Sequence, residues 1–266
     1  MSLAHDHNRR AWDERVRRNQ AHTRPASDKD FENPARVINP FGWLTDGVRG
    51  KRVLCLAAGG AKHGVLFASA GASVTVVDLS PAMLDLDRAA AAARGLSVNL
   101  VEASMDDLPL GDAAFDFVLQ PVSSCYVPDV AAVHREVARV TAAGGLYIVQ
   151  HKQPVSLQAG AEPEDNGYKL VAPYYHAGPL APLVKAAEHR ETGTMEFLHR
   201  LEDLLGGLCR AGFVIEDVVE PRYSDPTARP GSFGHRSWFV PPYITLKARR
   251  TASPAPKREP GTLWTP

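Results

Sequence analysis

The stretch VLCLAAGGAKHG places Gly59, Gly60 and Gly64 directly after a short apolar run and before a helical pattern. Closely spaced glycines at the end of a strand let backbone N–H groups and a helix N-terminus approach a ligand unobstructed by side chains. Nineteen residues after Gly59, Asp78 closes a second apolar run, VTVVD, where a carboxylate can accept hydrogen bonds from both hydroxyls of an adenosine ribose. Taken alone, these features fit a dinucleotide site as well as any other adenosine site. In ASMDDLPL, apolar Met105 stands beside Asp106, a pair able to cover an adenine face and accept from its exocyclic amine. A further run, FDFVLQPVSSCYVPD, supplies a strand whose following loop can flank the reactive end of such a ligand.

Short apolar runs alternating with helical stretches must position these groups, the signature of a sheet with crossover helices. RVLCLA, SVTVVD, SVNLVE, FDFVLQ and GLYIVQ read as strands, rich in Val, Leu and Ile as parallel strands buried on both faces require. Ser80 and Pro81 fit the N-cap and first turn of a helix that repeats Met83, Leu86, Ala90 and Ala93 on one face. Val130, Val133, Val137 and Val140 repeat likewise before the turn TAAGG, and Leu201, Leu204, Leu205 and Leu208 mark a later helix. FVIEDVVE and YITLKARR complete the strand candidates.

The expected organisation has three parts. Residues 1–49 form a helix, from about Asn8 to Asn19, and an aromatic-bearing loop that covers the cleft. Residues 50–250 form the main domain, with a Pro-rich insertion or lid at 151–195 after the fifth strand. Residues 251–266 read as a disordered tail.

Lys and Arg balance Asp and Glu at 30 each, so no overall field draws in nucleic acid or a membrane surface, and a small-molecule partner is expected. Three cysteines without paired metal-ligand spacing, and no apolar run of spanning length, predict a cytoplasmic, disulfide-free protein with no metal site.

Four ordered stretches, VLCLAAGGAKHG, VTVVDLSPAML, ASMDDLPLGDAAFDFVLQ and REVARVTAAGGLYIVQ, together resemble the class I S-adenosylmethionine-dependent methyltransferases over about residues 50–150. LEDLLGGLCRAGFVIEDVVEP resembles the sixth-strand region of that family. The resemblance implies an α/β fold: a seven-stranded Rossmann-like sheet of order 3-2-1-4-5-7-6, the seventh strand antiparallel, with helices on both faces. It also implies S-adenosyl-L-methionine as cofactor. Ala57, Gly59 and Gly60 would pass its methionine part, Asp78 and Leu79 would hold the ribose end, Met105 and Asp106 the adenine, while Gln120 and Pro121 would lie near the sulfonium. The sequence departs from the family where Cys55 and Ala57 stand in place of an acidic residue and a glycine.

Methyl transfer to oxygen or nitrogen needs positioning, exclusion of water and a proton acceptor. His151, at the end of the fifth strand, is the expected base. Trp12, Trp43, Tyr126, Tyr174, Tyr175, His176, His235 and Trp238 are the expected acceptor pocket. Two alternatives are a non-catalytic methyltransferase-like binding protein and a nicotinamide-dependent oxidoreductase, since Gly59, Ala61 and Gly64 imitate part of a dinucleotide spacing.

Overall fold

The structure, a computed structural model, describes residues 2–182 and 189–252. Seven strands, β1 (Arg52–Leu56), β2 (Ser73–Asp78), β3 (Asn99–Glu102), β4 (Phe115–Gln120), β5 (Thr141–Lys152), β6 (Phe213–Val219) and β7 (Tyr243–Arg250), form one sheet. Their order is β3-β2-β1-β4-β5-β7-β6. Neighbours β3, β2, β1, β4 and β5 pair in parallel, while β7 runs antiparallel to both β5 and β6. The expected sheet, order and single reversed strand are all present.

Strand alternation sorts the core into two layers. Leu54, Leu56, Val118, Tyr147 and Val149 face one way and pack with Val133 and Val137 of α6 (Val130–Val140) and Leu208 of α8 (Gly207–Arg210). Val53, Cys55, Val76, Phe117 and Ile148 face the other way, against Leu66 and Phe67 of α4 (His63–Ser69) and Leu84 of α5 (Pro81–Ala93). Helix α4 lies so close to β2 that a Cβ on Gly64 would collide with Val76. Cys55 is therefore a core residue, and burial pushes its thiol well above the usual range.

Ahead of the sheet lie α1 (Leu3–Arg17), α2 (Asp28–Glu32) and α3 (Ala35–Ile38). Helix α1 begins five residues before the expected Asn8, because Ser2 and His5 cap it reciprocally, and it ends at Arg17, two residues short of the expected Asn19. Strand β5 continues through Lys152, paired with β7 to Tyr243, so His151 and Lys152 belong to the sheet rather than to the insertion. The short α7 (Pro154–Gln158) follows, and α9 (Phe233–Phe239) precedes β7. The expected Leu-rich helix contains one π-helical turn, Glu202–Gly206, before α8. From residue 253 the expected tail lies outside the described residues.

His151 points into the layer shared with α6, where its ring lies 6.4 Å from that of His134. Neither ring has a hydrogen-bond partner among the described residues, and both are about 1% exposed. Burial lowers both basicities, His134 to about 4 and His151 well below its usual value. A histidine held neutral in the fold contributes stability above its unfolded value of about 6.5, and that stability is lost as pH falls below it. Thermal melts from pH 8 to pH 5 should show a falling midpoint. The His134→Leu, His151→Leu double variant should flatten that decline; an equally steep decline would remove the pair as its cause.

Candidate functional site

After β1 the chain turns through left-handed backbone at Ala57 (φ 47°), Gly60 (φ 108°) and Ala61 (φ 61°). The amide of Gly59 donates to Oδ2 of Asp78 at 2.9 Å. The amides of Gly60 and Ala61 both donate to Oδ2 of Asp87, at 2.8 and 3.0 Å. Three consecutive N–H groups are thus committed to the chain's own carboxylates. A bound pyrophosphate needs such amides free, so the loop does not fit a dinucleotide and the nicotinamide reading loses its structural basis. Gly59 must be glycine: a Cβ there would sit 2.8 Å from Cβ of Met83 and 3.0 Å from Oδ2 of Asp78.

Asp78, at the end of β2, also accepts from the amide of Ser80 at 2.9 Å, and it lines the cleft that opens above the loop. Burial is the chief influence on its carboxyl, pushing it up to about 6 against the pull of those backbone hydrogen bonds. The cleft encloses about 800 Å³, and Ala57, Gly59, Gly60, Leu79 and Met105 share its lining with Asp78. Six of the eight expected cofactor residues therefore come together.

Asp106 and Gln120 do not line it. Asp106 instead accepts from Ser104 and lies 3.1 Å from Nε2 of His5, tying α1 to the loop after β3. Gln120 is fully buried; its amide nitrogen donates to Oγ of Ser123 and Ser124 at 2.9 and 3.2 Å, and its oxygen accepts from Tyr147. Pro121, next in the chain, does reach the cleft.

On the acceptor side, Trp12 and Tyr126 line the cleft, their rings edge to face at 5.7 Å. The other expected aromatics and histidines lie elsewhere. His151 is sealed on the far side of the sheet because strand alternation turns its neighbour Gln150, and not His151, to the cleft. Trp43 packs on Phe41 and donates to Asp217 of β6. Tyr174 and Tyr175 pack on one another, Tyr175 being 78% exposed, while Nε2 of His176 meets the carbonyl of Pro179. His235 pairs with the hydroxyl of Tyr168 at 2.8 Å, and Trp238 is half exposed.

The lining that sequence reasoning missed comes from segments distant in the chain. Tyr223, Phe233 and Tyr243 form a mutually packed aromatic wall, with ring centroids 5.5 to 6.3 Å apart. His5 and Asn8 join the expected Trp12 on one face of α1 that lines the cleft, at spacings of three and four residues that a face plot of the helix would have shown. Asn8 is the clamp: its amide nitrogen donates to the carbonyls of Tyr126 and Met195 at 2.9 and 3.0 Å, and its oxygen accepts from the amide of Met195 at 2.7 Å. Asp13, a turn later, accepts from the Ser80 hydroxyl at 2.6 Å. Helix α1 is thereby fastened over the cleft at both ends.

One buried polar network reaches the cleft. Nζ of Lys152 donates to Glu191 at 2.6 Å and to Glu196 at 2.5 Å, and Glu196 also pairs with Arg190. The Tyr126 hydroxyl donates to the same Glu191 oxygen, Oε2, at 2.7 Å. Burial opposes ionisation of Glu191, but the Lys152 ammonium, the Tyr126 hydroxyl and His22 together outweigh it and hold the carboxyl below its usual range. The other Glu191 oxygen, Oε1, lies 3.9 Å from Nε2 of His22, a cleft-lining residue in left-handed backbone (φ 69°). Burial lowers the basicity of His22 and Glu191 raises it, with a net lowering.

Comparison with known proteins identifies the family and the fold. A methyltransferase domain family matches residues 54–149. An uncharacterized methyltransferase of Bacillus subtilis, YbaJ, is 32% identical over 234 residues, which cover 81% of this chain and 90% of that protein. The crystal structure of an S-adenosylmethionine-dependent methyltransferase from Mesorhizobium loti superposes with a TM-score of 0.64 at 27% identity, covering 83% of this chain and 98% of that one. A geranyl diphosphate C-methyltransferase from Streptomyces coelicolor, solved with S-adenosyl-L-homocysteine, shares the fold, with a TM-score of 0.62 at 16% identity over 94% of this chain and 98% of that one.

Replacing Asp78 by alanine should weaken binding of an adenosine ligand by about 1 to 3 kcal/mol, the loss of hydrogen bonds to the ribose. Calorimetric titration with S-adenosyl-L-homocysteine checks this, and unchanged affinity in a folded variant would remove Asp78 from the ribose contact.

Proposed function

Since this chain belongs to the class I S-adenosylmethionine-dependent methyltransferases, with S-adenosyl-L-methionine as its cofactor, we propose that it methylates an oxygen or nitrogen of a small-molecule acceptor. The observation that carries this reading is the shape of the cleft: a chamber roofed by α1 and walled by Trp12, Tyr126, Tyr223, Phe233 and Tyr243. Such walls suit a partly planar molecule of modest size, whereas nucleic acid calls for an open basic groove.

The residues present fit the cofactor. It carries no phosphate, which agrees with a loop whose amides are already engaged. Asp78 would hold the ribose hydroxyls, Leu79 and Met105 would flank the adenine, and Ala57, Gly59 and Gly60 would border the methionine part. With Cys55 in place of an acid and buried in the core, backbone carbonyls near Ala57 would have to receive the methionine ammonium. When bound, the cofactor supplies a methyl group on a positively charged sulfur, open to in-line displacement.

The chain's own part is to hold the acceptor, exclude water and take up the acceptor's proton. His22 takes the role first expected of His151: it lines the cleft, its lowered basicity leaves it neutral near pH 7, and Glu191 stands beside it to stabilise the protonated ring. Glu191 is in turn fixed by Lys152 and Tyr126. Helix α1 and the insertion, joined through Asn8, cover one side of the chamber, while the His22 ring stands at its open side, 63% exposed. The three free cysteines suit a reducing compartment, consistent with a cytoplasmic enzyme. Among the described residues no helix is long and apolar enough to cross a membrane.

The test is to incubate the protein with S-adenosyl-L-methionine and a panel of small phenols, hydroxy acids and amines, following products by mass spectrometry. A methylated hydroxyl or amine is expected; methylation at carbon or sulfur alone would overturn the acceptor assignment. With that acceptor, His22→Ala should lower kcat by about 100-fold with little change in affinity for S-adenosyl-L-homocysteine. The wild-type rate should rise with pH through a step below about 6.5 as His22 loses its proton. A variant with wild-type kcat and the same pH profile would exclude His22 as the base.

A further inference from the structure

Asp87 is the buried acid that the proposed chemistry leaves unused. It sits in α5, fully buried, outside the cleft lining, and takes the Gly60 and Ala61 amides on one oxygen, the Gly60 amide being shared with the Met83 carbonyl at 3.2 Å. Its other oxygen has no hydrogen-bond partner among the described residues. The groups facing it are the Cys55 thiol from β1 and the Asp78 carboxyl from β2, neither of them a cation. Burial accordingly pushes the Asp87 carboxyl up to about 7, against the pull of the two amides.

A carboxyl held in such surroundings destabilises the apo fold once it ionises, and an apolar residue would fill the same space without that cost. The two amides explain its presence. They belong to consecutive residues in left-handed backbone, one of them the non-glycine Ala61, and that conformation persists only where surrounding bonds enforce it. The next amide back, that of Gly59, is held by Asp78, so the two acids grip successive positions of one turn. An acid on β1 at position 55 could have supplied the second grip. Here that position is a thiol, a weak acceptor, and the carboxylate arrives instead from α5.

We propose that Asp87 is the positioning residue of the cofactor loop: delivered from α5 to the place beside Cys55, it fixes Gly60 and Ala61 and so sets the affinity for S-adenosyl-L-methionine without touching it. The side chain's oxygen acceptor is what matters. An amide isostere retains it, whereas an aliphatic replacement loses it.

Calorimetric titration with S-adenosyl-L-homocysteine at pH 8 tests this on Asp87→Ala, Asp87→Leu and Asp87→Asn, each also melted without ligand. Leucine refills the space left by the carboxyl, so that a folded acceptor-free variant is available even if alanine leaves a cavity. The acceptor-free variants should bind about tenfold or more weakly, as expected where two charge-assisted bonds are lost, and asparagine should stay within about threefold of wild type. A purely structural role would lower melting temperatures without this pattern in affinity. Wild-type affinity in a folded Asp87→Ala or Asp87→Leu variant, or equal loss in the asparagine and aliphatic variants, would overturn the proposal.

Discussion

The turn after β1 is the constraint on which the rest of the structure depends. A strand that ends beside a ligand exposes its next amides, and buried N–H groups must find acceptors. In this chain Asp78 and Asp87 provide them from two neighbouring elements. The consequences run outward from there. The loop holds its left-handed backbone and has no amide among these three left for a phosphate. The cleft above it therefore suits a ligand recognised through ribose, adenine and a zwitterionic tail, in keeping with S-adenosyl-L-methionine and the family to which the chain belongs.

The side of the cleft proposed for the acceptor is built by a different principle. Its walls come from α1, from the loop after β4, from the insertion and from the end of the chain, segments with no common pattern in sequence. Polar side chains that are almost wholly buried join them: Asn8 between α1 and the insertion, and Lys152 between β5 and Glu191 and Glu196. An unpartnered charge at such depth would cost several kcal/mol, so each of these residues fixes the position of its partners as well as its own. Glu191 gains most from this arrangement. Its Oε2 is locked by Lys152 and Tyr126 while Oε1 is turned toward His22.

The two halves meet through α1. His5 reaches the loop after β3 and Asp13 reaches the cap of α5, both on the cofactor side, whereas Asn8 and Trp12 look toward the acceptor side. The sides of the cleft proposed for donor and acceptor therefore share one roof, and Asp106, expected as an adenine contact, ties that roof to the loop after β3 through His5.

The sheet and the lining of the cleft beside the turn after β1 were legible in the sequence, because both are written in local patterns. Alternating buried strands, a glycine turn, and an aspartate at the end of the second strand occupy fixed positions along the chain, so Ala57, Gly59, Gly60, Asp78, Leu79 and Met105 could be named before the fold was known. Asp87 was hidden because an acid in the middle of a helix looks like a surface residue until the helix is docked on the sheet. His151 was misread by a single step of strand phase: Gln150 faces the cleft, while His151 lies against His134. Likewise His176, His235 and the tyrosine pair have the right chemistry but are carried elsewhere by the route of their loops, while Tyr223, Phe233, Tyr243 and Glu191 are brought in. What the sequence alone determined is the fold and the donor. Tertiary structure decided which side chains face the acceptor, since that depends on how segments far apart in the chain pack together, and no local periodicity records it.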